Sequence, residues 1–102
     1  MKGRVVFQLH LKPGREQDFL QAYEAIRNEV AQGVEGHIVD QVCRSIEDPQ
    51  SWLITSEWEN LDAFLEWEQT EEHRDLVKPM RDCWDEAKSF KYVVELETGR
   101  TG

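Results

Sequence analysis

Positive charge is scarce in this chain: 12 lysines and arginines stand against 21 aspartates and glutamates, a net charge of −9. A surface of that sign repels phosphate backbones and anionic headgroups, so neither nucleic acid nor membrane is expected as a partner. Long apolar runs are missing too. No stretch approaches the roughly 20 residues a bilayer span needs, and the opening MKGRVVFQLHL alternates like a strand where a signal peptide would carry an apolar core. A cytoplasmic protein is the expectation. Cysteine is limited to Cys43 and Cys83, without paired spacing, which fits reduced thiols better than a disulfide or metal framework. The histidines are dispersed at His10, His37 and His73 with no H-x-E or C-x-x-C arrangement, so a metal site is not indicated. Nor is there a glycine-rich phosphate loop: Gly33 and Gly36 fall between a helix and a strand, the reverse of the order such loops need. Nicotinamide and flavin are therefore not indicated, and the expected cofactor is none.

Repeats, linkers and low-complexity tracts are absent as well. With 102 residues, 39% hydrophobic and 32% charged, the chain has enough material for one core and one domain. That domain is expected over residues 1–98, with 99–102 as a flexible tail.

What the chain does have is a concentration of aromatics in WLITSEWENLDAFLEWEQTEEH, Trp52 to His73. Period-2 spacing puts Trp52, Ile54, Ser56 and Trp58 on one face of a strand. Asn60 can cap a following helix, with Asp62 in its first turn where the helix dipole favours negative charge. Leu61, Phe64, Leu65 and Glu68 share a stripe of that helix, with Trp67 on or beside it. A strand that presents one aromatic wall and a helix that lays another over it make a pocket.

Around this stretch, residues 4–11 alternate as a first strand, with Val5, Phe7, Leu9 and Leu11 on one face, ended by Lys12-Pro13-Gly14. A helix is expected from about Arg15 to Ala31 on the stripe Phe19, Tyr23, Ile26 and Val30. A second strand follows from about His37 to Ser45, and Glu47-Asp48-Pro49-Gln50 turns it into the Trp52 strand. Helix is expected from Leu61 to about Ala87, broken near Thr70 and strained at Pro79, with Leu76, Met80, Cys83, Trp84 and Ala87 inward. Phe90 to Leu96 alternate as a fourth strand. The order β-α-β-β-α-β is the ferredoxin-like plan, an α+β fold with a four-stranded antiparallel sheet and helices on one face. Val6, Ile38, Val42, Leu53, Thr55 and Val93 are expected on the other face. A chain too short to cover that face would cover it with a second copy, so a homodimer is expected.

At the level of motifs the chain resembles the antibiotic biosynthesis monooxygenase family of dimeric α+β barrels. The likeness rests on the LKPG turn, on R-S-x-x-D-P at Arg44 to Pro49, on E-W-E-N at Glu57 to Asn60, and on W-x-x-T-x-x-H at Trp67 to His73. It implies a small aromatic substrate, and the family's activities range from cofactor-free oxygenation of aromatic polyketides to haem breakdown. Haem-degrading members pair a strand-one asparagine with a helix tryptophan and a haem-ligating histidine. Here Trp67 matches the tryptophan, but Phe7 and Gln8 occupy the asparagine position and Leu76 or Val77 the histidine position. His73 precedes that position by about one helical turn, so haem ligation is not expected. Anthrone-oxidising members place an asparagine and a tryptophan on strand three; Trp58 matches the tryptophan, and Ile54 stands at the asparagine position.

Cofactor-free oxygenation requires a protein to bind a flat aromatic, hold its anion and exclude water, because only electron-rich phenolates and enolates pass an electron to dioxygen readily. Phe7, Ile54, Trp58 and Trp67 have the parity and helix phase to line one sheet-to-helix cavity as substrate-binding walls; the same four would equally serve as ordinary core. His73 is the candidate catalytic acid/base, by its intrinsic pKa near neutrality, or else a surface histidine paired with Glu72 or Asp75. His37 reads as a strand-edge residue and His10 as facing the dimer side. Arg74 and Arg81 would either grip a phenolate or carboxylate or form solvated ion pairs with neighbouring acids. The leading expectation is a cofactor-independent monooxygenase-like tailoring enzyme for an aromatic polyketide-type substrate. A polyketide cyclase of the same fold and a non-catalytic dimer binding a small hydrophobic ligand are the alternatives.

Overall fold

The computed structural model describes residues 1–99, and the side chains of all of these except residues 29–32. Val30 in the expected first-helix stripe, and residues 100–102 of the expected tail, lie outside the described residues. The chain runs β1 (Gly3–Leu11), α1 (Glu16–Gly33), β2 (His37–Arg44), β3 (Ser51–Trp58), α2 (Leu61–Glu68), α3 (Glu71–Arg81) and β4 (Trp84–Val93). The four strands pair antiparallel in the order β2-β3-β1-β4. This is the expected ferredoxin-like plan with its second helix divided in two.

The division has a local cause. The Thr70 hydroxyl donates to the Trp67 carbonyl at 2.7 Å, closing the last turn of α2. The same oxygen accepts from the His73 backbone N–H at 3.1 Å and so caps α3. One side chain thus ends one helix and starts the next, and it fixes how Trp67 and His73 face each other. Upstream, Asn60 Oδ1 accepts from the Ala63 N–H at 2.9 Å, the cap its sequence position suggested. Gly36, at a φ of +83°, lets the α1–β2 connection run so close to α2 that an added Cβ would lie 2.7 Å from Ala63 Cβ.

Alternation along β1 and β3 sends Val5, Leu9, Leu11, Trp52 and Trp58 under the helices, where all are buried. The core forms two clusters on that face. One gathers Leu9, Leu11, Phe19, Trp52, Met80 and Cys83; the other gathers Val5, Trp58 and Phe64. Each fully buried apolar side chain contributes about 1.5–3 kcal/mol relative to exposure.

Two strands depart from expectation. In β2 the register shifts between His37 and Val39, so that His37 pairs with Trp58 while Val39 pairs with Glu57. The extra residue, Ile38, forms a bulge that turns His37 to the same side as Asp40. Val42, opposite Ile54, therefore packs under the helices and not on the bare face. The fourth strand begins at Trp84, so Trp84 and Ala87 are strand residues and not part of a helical stripe. Pairing along the whole of β1 outweighs helix continuation past Arg81, and the register opposes Gly3 to Val93 and Val6 to Phe90. Phe90 and Tyr92, rather than Val93, consequently share the bare face with Val6, Leu53 and Thr55. Phe90 is 39% exposed and Tyr92 54%.

Candidate functional site

Between the sheet and the three helices lies a cavity of about 390 Å³. It borders both core clusters, since Met80 of one and Val5, Trp58 and Phe64 of the other line it. The packing that would merge the two into one core is missing where the cavity sits.

All five residues singled out by sequence line this one space: Phe7, Ile54, Trp58, Trp67 and His73. Phe7 and Ile54 are direct partners across β1 and β3 and form part of its floor. Trp58 is only 1% exposed, and its Nε1 donates to Ser56 Oγ two residues away on the same face, at 2.9 Å. That bond satisfies the indole and fixes its rotation. Its ring meets Phe64 edge-on at 5.3 Å and Trp67 at 6.0 Å with a tilt of 35°.

Trp67 and His73 form the wall at the α2–α3 junction, with ring centroids 4.5 Å apart and planes at 78°. Trp67 Nε1 and His73 Nδ1 are both buried with no hydrogen-bond partner among the described residues. A buried polar atom left unpaired costs about 1–3 kcal/mol, so this is a place where a ligand atom would be welcome. Burial also pushes the His73 pKa below its usual 6.5, with nearby Glu68 opposing and Arg81 adding to the shift. The imidazole is therefore neutral near pH 7 and able to accept a proton. A surface pairing of His73 with Glu72 or Asp75 is not what the structure holds: the ring packs on Trp67 and forms no ion pair with either acid.

Other lining residues carry signals that alternation alone did not connect to the site. Tyr23 and Ile26 arrive from the inward stripe of α1; burial, with Asp40 nearby, pushes the Tyr23 pKa up to about 12, so its hydroxyl stays a donor. Asp40 reaches the cavity because of the β2 bulge. His37, expected as a strand-edge residue, is tied to Asp40 with its Nε2 2.9 Å from Oδ1. Its side chain is 6% exposed and lies edge-on to Trp58 at 5.1 Å. Ser89 and Trp84 come from β4, Ser89 through its pairing with Phe7. His10 lies on the bare face, 2.7 Å from Asp85 and away from the cavity. Arg74 and Arg81 line the cavity from α3.

The sequence model of the antibiotic biosynthesis monooxygenase family matches residues 3–79. The chain belongs to that family. Among curated proteins it is 47% identical over 95 residues to the 42.8 kDa protein in the whiE locus of Streptomyces coelicolor, covering 93% of this chain and 24% of that one. It is 43% identical over 88 residues to polyketide synthase CurD of Streptomyces cyaneus, covering 86% of this chain and 23% of that one. The chain thus spans about a quarter of the length of the curated relatives it matches. Two solved structures of similar fold are a conserved protein of Methanosarcina mazei Go1 and a variant of SnoaB, a cofactor-independent oxygenase from Streptomyces nogalater. The first has a TM-score of 0.81 at 22% identity, covering 90% of this chain and 91% of that one. The second has a TM-score of 0.82 at 11% identity, covering 97% of this chain and 98% of that one. At these identities the likeness speaks for the fold alone.

Proposed function

We propose that this chain is a cofactor-independent monooxygenase acting on a flat aromatic substrate of polyketide type. One observation carries the reading: an aromatic-walled cavity whose wall at the α2–α3 junction holds a desolvated, unpartnered histidine beside a tryptophan. The volume of about 390 Å³ suits a small-molecule ligand. In this reading Phe7, Ile54, Trp58 and Trp67 bind the ring system and exclude water, and His73 takes the proton from an acidic C–H or O–H. The resulting anion passes an electron to dioxygen, and recombination gives a hydroperoxide. Loss of water then leaves a carbonyl, so an activated CH₂ and O₂ become C=O and H₂O. The family membership supports the reaction class, and the polyketide synthase named among the relatives supports the substrate class. Oxygen uptake on a panel of anthrones and naphthols tests it. Uptake that His73→Gln abolishes is expected; binding of the panel without any oxygen consumption would sink the oxygenase reading.

The proposal includes a homodimer joined through the bare sheet face. Val6, Leu53, Thr55, Phe90 and Tyr92 make that face apolar at its centre, which supports burial against a second copy. Stable interfaces of this kind bury about 1,200 Å² or more in total. Sedimentation at micromolar concentration should give a species near twice 12.0 kDa; a single monomeric boundary would count against it. A cytoplasmic setting is likewise proposed, in keeping with the exposed free thiol of Cys43.

A further inference from the structure

Charge around the cavity is divided between two carboxylates and two guanidiniums that do not meet each other. Two carboxylates line it, Asp40 and Glu68, and each already has a partner. His37 Nε2 lies 2.9 Å from Asp40, and Lys91 Nζ lies 3.6 Å from Glu68. Two guanidiniums line it as well, Arg74 and Arg81, one near the start of α3 and one at its end. Neither forms an ion pair or a side-chain hydrogen bond among the described residues. The solvated ion pairs that their sequence neighbourhood suggested are not made, although Glu71 stands three residues before Arg74. Arg4, Lys12, Arg44, Lys78 and Lys88 also form no ion pair among the described residues; what sets Arg74 and Arg81 apart is that both line one apolar-walled cavity.

We propose that the cavity takes an aromatic acid: a conjugated ring system against Phe7, Trp58 and Trp67, bearing a carboxylate held by Arg74 and Arg81. The inference rests on the aromatic-ligand reading of the cavity and adds the charge of its ligand. A guanidinium presents a planar fork of donors that matches a carboxylate in two parallel hydrogen bonds. Both arginines are exposed at the rim, so the attraction is of the salt-screened kind, with the apolar walls shielding one side of the ligand. Asp40 and Glu68 are held by His37 and Lys91, and neither forms an ion pair with an arginine of the lining. A neutral ligand of the same shape would leave both arginines as they are and gain nothing from them.

The test compares two probes of nearly identical shape, 2-naphthoate and its methyl ester, by quenching of tryptophan fluorescence at pH 8 in low salt. The acid is expected to bind at least about tenfold more tightly than the ester, with an advantage that shrinks as salt is added. The double variant Arg74→Gln/Arg81→Gln should lose that advantage while its affinity for the ester stays unchanged, which also shows that the cavity has kept its shape. The lysine pair Arg74→Lys/Arg81→Lys, with the charge but without the fork, should recover part of it. Equal affinity for acid and ester, or an acid preference that persists in the glutamine variant, overturns the arginine assignment and leaves the aromatic cavity standing. Failure of both probes to bind at millimolar concentration overturns the aromatic-ligand reading and the arginine assignment together.

Discussion

Truncating Trp67 separates a pocket wall from ordinary core by a difference of about 1–3 kcal/mol. Trp67 is partly buried, packs beside Trp58 and His73, and lines the cavity, so part of its surface has no protein neighbours. A fully packed tryptophan replaced by alanine costs about 3–5 kcal/mol. With part of its surface facing the cavity, Trp67→Ala should cost roughly half of that, about 2 kcal/mol. Trp67→Phe is the sharper case. It gives up a little apolar area, worth about 1 kcal/mol at about 25 cal/mol per Å². It also removes Nε1, a buried donor without a partner, whose unmet hydrogen bond costs about 1–3 kcal/mol. The two terms oppose each other, so the phenylalanine variant should melt within a few degrees of the parent. Aromatic-ligand affinity should nevertheless fall in both variants, because the wall and its donor are gone. Thermal melts beside fluorescence titrations give both quantities. A loss above about 4 kcal/mol for Trp67→Ala, with ligand affinity unchanged, would make Trp67 structural packing and refute the wall assignment.

The pH dependence has a definite sign. His73 binds its proton more weakly in the folded state than its ordinary 6.5, so its contribution favours folding fully above that value and is lost as pH falls below it. Activity that uses neutral His73 should show an acid limb below pH 6.5; Arg81→Gln should move that limb upward and Glu68→Gln downward, and a limb unaffected by either change would count against His73 as the base. Gly36→Ala should destabilise by about 2 kcal/mol or more, since the positive φ alone costs an L-residue about 1–2 kcal/mol and its Cβ would also meet Ala63; urea unfolding measures it, and a neutral result would mean the connection runs elsewhere. Phe90→Glu, on the bare face beside Val6, should convert the proposed dimer to monomer in sedimentation without unfolding it, and a variant that stays dimeric would place the interface elsewhere.

Much of the fold was legible in the residues themselves. Strict alternation in β1 and β3 assigned Phe7, Ile54 and Trp58 to the helix-covered face, and period-2 geometry leaves no other choice once one face is apolar. Asn60 and the break near Thr70 were legible because capping is local: a side chain bonds an N–H three residues on, whatever the rest of the chain does. The cavity residues Phe7, Ile54, Trp58, Trp67 and His73 could therefore be gathered in advance, from parity, helix phase and the family's motifs.

Tertiary structure decided what alternation cannot encode. The bulge at Ile38 moves His37 and Asp40 onto one face, a consequence of how β2 registers on β3. The start of β4 at Trp84 follows from pairing along all of β1, which overrides the helical spacing of Met80, Trp84 and Ala87. Packing lowers the proton affinity of His73, mainly by burial, with Glu68 opposing the shift and Arg81 adding to it. It also left Arg74 and Arg81 unpaired amid so many acids. Sequence carries the periods and caps, whose reach is a few residues; charge balance and burial at a cavity are properties of surfaces that meet only when the chain has folded.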